Sequence, residues 1–127
     1  MHKTVVAIAI VFGLLCGPLR AVERVDFNLA TTQNLLDLCS VTQADPLSRE
    51  AIHFCVGYIE GAMDYHDAVV GEEMKPLVCK PKGTTRNDAV LVLVAWGQAN
   101  RGNAARMNEP PVIGVVRAME QEWPCQP

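Results

Sequence analysis

Apolar and small residues recur at Ala51, Cys55, Tyr58, Ala62, Tyr65 and Val69, with Ile52, Ile59, Met63 and Val70 beside them. That spacing predicts a helix with a broad buried face, and Asp45 to Val70 is the longest such run in the chain. Asp45 is placed to accept the free N–H groups of a first turn, and Pro46 suits the first helical position, where no N–H is needed. Gly57 and Gly61 stand four apart on one side of this run. Each costs about 1 kcal/mol relative to Ala in a helix interior. A close crossing with another helix, within the domain or across a dimer, is the expected compensation.

The other periodic segments are shorter. Thr32 to Leu38 predicts a first helix, capped by Thr31 or Thr32, and Ser40 to Ala44 is a polar connection. Gly71 to Gly83 is a loop by its Pro and Gly content. Thr85-Arg86-Asn87-Asp88 has the form of a capping box before the run Ala89 to Trp96. Propensity alone would allow that run to be a buried strand, but the cap and the lack of a partner strand favour a helix. Arg101-Gly102-Asn103 marks a break or kink. Glu109-Pro110-Pro111 opens a last helix, Val112 to Glu122, since prolines are tolerated in a first turn. No repeat or linker divides the chain. The pattern predicts one all-α domain of four to five helices.

The N-terminus stands apart from this pattern. Lys3 precedes an apolar run from Val5 to Leu15, Gly17 and Pro18 interrupt it, and Leu19-Arg20-Ala21 ends on a small residue. Those are the marks of a secretory signal over residues 1–21, too short in its apolar part to span a bilayer as an anchor. Leu14-Leu15 before Cys16 lacks the small residue of a lipoprotein signal, which favours cleavage over lipid anchoring. Removing Lys3 and Arg20 leaves 9 basic against 14 acidic side chains, a net charge of −5. This acidic balance argues against nucleic acid or an anionic membrane surface as partner. The domain over 22–127 keeps Cys39, Cys55, Cys79 and Cys125, an even number that reads as two disulfides in an exported chain.

Little in the sequence suggests catalysis. The cysteines lie far apart, with no Cys-x-x-Cys pair and no His-Glu-x-x-His, so no metal or other cofactor is expected. His53 and His66 share the long helix but lie about 20 Å apart along it. His53 and Cys55, two residues apart, point to different sides and make no nucleophile–base pair. Glu60, Asp64 and Asp67 form an acidic flank at i, i+4 and i+7, either a plain solvated face or a partner contact.

Taken in order, Leu35-Leu36-Asp37-Leu38-Cys39, Phe54-Cys55-Val56-Gly57-Tyr58-Ile59-Glu60-Gly61 with Asp64, Cys79-Lys80-Pro81 and Trp123-Pro124-Cys125 resemble the Rap/Tai family. Those are periplasmic immunity proteins of bacterial type VI secretion systems. The resemblance runs from Leu35 to Cys125, and its most specific part is the central Phe-Cys-x-Gly-Tyr-Ile-x-Gly. Asn87-Asp88 stands where the family usually has a Gln, the turn around Asn100-Arg101-Gly102 differs, and Pro110-Pro111 is an addition. The resemblance implies a small helical exported protein, commonly a dimer, that blocks a peptidoglycan amidase effector and has no catalysis of its own. A small helical periplasmic acid-stress chaperone is the alternative, being similar in size and fold and compatible with the acidic excess.

Two structural expectations follow. With the helices running up and down, Cys39 lies where the long helix begins, and Cys79 and Cys125 meet at the opposite end. Cys39–Cys55 with Cys79–Cys125 is then preferred among the three possible connectivities. For the partner surface, the Gly71–Gly83 loop is favoured, because Cys79 anchors it while Pro76 and Pro81 restrict it. Its tip offers Glu72, Glu73, Met74 and Lys75. The acidic flank of Glu60, Asp64 and Asp67 leads into this loop and is the second candidate.

Overall fold

The structure, a computed structural model, describes residues 21–71 and 74–126. The expected signal segment, apart from Ala21, lies outside the described residues. A short 3-10 turn over Arg24–Asn28 precedes five helices: α1 (Thr32–Cys39), α2 (Ser48–Val69), α3 (Arg86–Asn100), α4 (Ala104–Met107) and α5 (Pro111–Glu122). Among the described residues there is no strand, and one antiparallel bridge joins Val78 to Pro124.

Reciprocal capping boxes set the starts of α1 and α3. Thr31 Oγ1 accepts the Asn34 N–H at 3.2 Å, and Asn34 Oδ1 accepts the Thr31 N–H at 3.1 Å. Thr85 and Asp88 repeat the arrangement at 3.2 and 2.8 Å. Each box satisfies two backbone donors that a helix start would otherwise leave free. The Ala89–Trp96 run is accordingly helical despite its strand-like composition.

α2 begins three residues later than the sequence pattern indicates. Asp45 caps no helix. Its Oδ1 accepts the Leu47 N–H at 2.8 Å, and its Oδ2 accepts the N–H of Val22, 23 residues earlier, at 2.8 Å. Pro46 therefore sits in the turn before the helix. α4, a single turn whose first residues Asn103 caps through Arg106 N, occupies the region read only as a break.

α1 is short but central, packing against α2, α3, α5 and the 3-10 turn. Leu35 and Leu38 are fully buried. Ile59 and Met63 of α2, Leu93 and Trp96 of α3, and Val115 and Met119 of α5 close around Leu35 and Leu36. Val22, Leu38 and Ala51 form a second, smaller cluster. The side chain of Thr32 is also fully buried. Its N–H and Oγ1 donate to Glu109 O at 2.8 and 3.0 Å, which ties the start of α1 to the approach to α5.

The close helix approaches lie at other glycines than expected. A β-carbon on Gly97 would fall 2.3 Å from a Leu36 methyl, and one on Gly114 would fall 2.4 Å from Thr32 Cγ2. Both neighbours are on α1. Gly57 and Gly61 have nothing within 4 Å, so the crossing expected there does not occur within the domain. They lie on the exposed side of α2 between Phe54 and Tyr65, which are 39% and 72% exposed.

The disulfides are Cys39–Cys55 and Cys79–Cys125, the pairing the helical layout favoured. The first joins the end of α1 to α2 inside the core. The second fastens the loop after α2 to the segment after α5.

Candidate functional site

The loop after α2 is held at its base from both sides. On one side Cys79 is bonded to Cys125, and its N–H donates to Trp123 O at 2.9 Å. On the other, His66 in the last turn of α2 reaches the loop. His66 Nε2 accepts the N–H groups of Leu77 at 3.1 Å and Val78 at 3.4 Å. A backbone amide can only donate, so the ring proton lies on Nδ1, which donates to Asp67 Oδ1 at 3.0 Å. Lys80 Nζ meets the second oxygen of Asp67 at 3.0 Å. The Asp67 carboxyl is held below the usual carboxylate range chiefly by the His66 hydrogen bond. Partial burial opposes that shift and Lys80 reinforces it.

Met74 and Leu77 are each 54% exposed, and Lys75 is exposed. Glu72 and Glu73 lie outside the described residues. Cys79, Pro76 and Pro81 do bound an anchored segment, as the sequence suggests. The role of His66 was not foreseen. A histidine in the last turn of a helix, before a loop with unpaired amides, was the available signal.

The acidic flank is not uniform. Glu60 Oε1 pairs with Arg86 Nε of α3 at 2.6 Å. Asp67 is engaged as described, while Asp64 between them is exposed and has no hydrogen-bond or ion-pair partner among the described residues. The structure thus brings Asp67, Met74 and Lys75 into one region with the loop, while Glu60 belongs to the α2–α3 contact. His53 is exposed and distant from this network. Among the described residues, no group of three His, Cys, Asp or Glu side chains could hold a metal ion, and no helix is long and apolar enough to cross a membrane.

A family model described as Rap1a immunity proteins matches residues 31–125. The chain belongs to the Rap1a immunity protein family. The match begins at Thr31, the cap of α1, and ends at Cys125, so it takes in both disulfides and all five helices. No curated protein and no solved structure gives a significant match. Membership of the Rap1a family implies an effector protein as partner. Together with the disulfides, it goes with a secreted or periplasmic location.

Proposed function

We propose that this chain is a periplasmic immunity protein of a type VI secretion system, which binds a secreted peptidoglycan amidase and occludes its cleft. Family membership over residues 31–125 carries the reading. The loop after α2, fastened at its base by the Cys79–Cys125 bond and by His66, supports it, since a restricted base lowers the entropy cost of binding. The proposed contact comprises Glu72, Glu73, Met74 and Lys75 of the loop tip, with Asp64 and Asp67 beside it and Glu60 at the margin. The protein acts by steric exclusion and performs no chemistry. Export depends on residues 1–21, which are removed.

The proposal extends to a second copy of the chain. Phe54 and Tyr65 flank Gly57 and Gly61 on an open strip of α2, where absent side chains let another helix approach closely. Sedimentation of the purified protein, with Gly61→Leu as the disrupting variant, tests this part.

The partner is tested by capture from periplasmic extract with the tagged mature protein. A single cysteine amidase retained at neutral pH supports the reading. Many unfolded clients retained only in acid would instead indicate a stress chaperone and overturn it.

A further inference from the structure

The peptide bond between Ala21 and Val22 separates exposed chain from buried chain. Ala21 is exposed, whereas Val22 is 8% exposed and packs in the cluster with Leu38 and Ala51. The Val22 nitrogen donates to Asp45 Oδ2 at 2.8 Å, and the other oxygen of Asp45 is occupied by the Leu47 N–H. The signal pattern ends at the same place, with Leu19-Arg20-Ala21 marking a cut at Ala21 or within a few residues of it. We propose that cleavage after Ala21 converts this hydrogen bond into an ion pair, in which the new α-ammonium of Val22 is held by the Asp45 carboxylate. Removal of the signal thereby completes the mature fold.

The chemistry is a hydrolysis. Water adds across the Ala21–Val22 bond, its oxygen leaves with the Ala21 carboxyl group, and the Val22 nitrogen departs as an amine. An α-amine takes up a proton near neutral pH, its ordinary pKa being about 7.7–8.0. The neutral amide donor becomes a cationic one opposite a carboxylate, and such charge-assisted bonds are roughly twice as strong as neutral ones.

The geometry also selects among neighbouring cut sites. A cut one residue later removes the Val22 side chain from its cluster. A cut one residue earlier carries the charge about 3.8 Å along the chain, away from Asp45. Only the Ala21–Val22 bond yields both the buried valine and the paired terminus.

The proposal rests on the exported reading, and the test separates the two. The full-length chain is expressed with its own leader and recovered from the periplasm, and its N-terminus is fixed by intact mass. A second chain carries a threonine inserted between Ala21 and Val22. The native chain is expected to start at Val22, and the threonine-extended chain to melt about 4–8 °C lower at neutral pH. The insertion should cause no further loss in an Asp45→Asn background, where Asn still accepts from Leu47. Should that variant not fold, acylation of the terminal amine, followed by peptide mapping, gives an independent readout. It should be about tenfold slower at Val22 than at the inserted threonine, since a paired ammonium is not nucleophilic. An unprocessed or cytoplasmic chain would overturn the exported reading and the proposal with it. A start at Val22 with equal melting and equal reactivity would overturn the ion pair alone.

Discussion

Gly114 of α5 lies directly against Thr32 of α1, so that a β-carbon on the glycine would meet Thr32 Cγ2 at 2.4 Å and Oγ1 at 2.6 Å. Thr32 cannot easily withdraw, because its N–H and hydroxyl are both bonded to Glu109 O. Gly114→Ala should therefore destabilise the fold by about 1–3 kcal/mol through overpacking. Gly61→Ala should do the opposite in the monomer and add up to about 1 kcal/mol, since the helix gains propensity and nothing is displaced. Urea unfolding of the two variants at low protein concentration checks both signs.

His66 should order the loop without supporting the core. In His66→Phe the ring is kept, but the acceptor for the Leu77 and Val78 amides is lost. Those two amides should exchange with solvent much faster. The buried amides of α1 should keep their protection, because the Cys79–Cys125 bond still fastens the loop base. Residue-resolved hydrogen exchange makes the comparison. Unchanged exchange at Leu77 and Val78 would mean that His66 does not hold the loop.

Three carboxylates give stability an acid limb. Asp67 is lowered chiefly by its bond from His66, Asp88 by the N–H and hydroxyl of Thr85, and Glu109 by Arg117. A carboxyl whose folded value is depressed contributes stability that is present above its unfolded pKa and is lost as pH falls through the folded one. With unfolded values of about 3.9 for Asp and 4.3 for Glu, the melting temperature should hold above roughly pH 4.5 and drop below it. The triple variant Asp67→Asn, Asp88→Asn, Glu109→Gln should show a flatter decline. Melting curves between neutral and strongly acidic pH test this.

The two disulfides should differ in weight. Their sequence separations are 16 and 46 residues. Chain-entropy reasoning then gives about 3 kcal/mol for Cys39–Cys55 and about 4 kcal/mol for Cys79–Cys125. Paired Cys→Ser variants unfolded in denaturant measure both. A larger loss from Cys39–Cys55 would mean that its place in the core outweighs loop length.

Much of this fold is written locally. Thr31 with Asn34, and Thr85 with Asp88, are caps whose partners lie three residues away, so the sequence places those helix starts. The cysteine pairing followed from helix order. What was missed depends on distant partners. Asp45 has the composition of a cap, yet its carboxylate is engaged by Val22 from the far end of the domain. Gly57 and Gly61 have the spacing of a helix crossing, whereas the close approaches within the domain are made by Gly97 and Gly114, which show no comparable pattern. Spacing reports which residues share a face and not what lies opposite it. His66 is legible only as a histidine in the last turn of a helix, since its two amide partners come from a loop without periodicity.

Inhibition itself is the most direct measurement. Purified peptidoglycan sacculi are digested with the amidase that the tagged protein retains from periplasmic extract, and muropeptide release is followed as the protein over 22–127 is added. Release should fall to background near equimolar protein, and Glu72→Lys with Glu73→Lys should require more protein for the same effect. Undiminished release at a large molar excess of the folded, disulfide-bonded protein would contradict the immunity function.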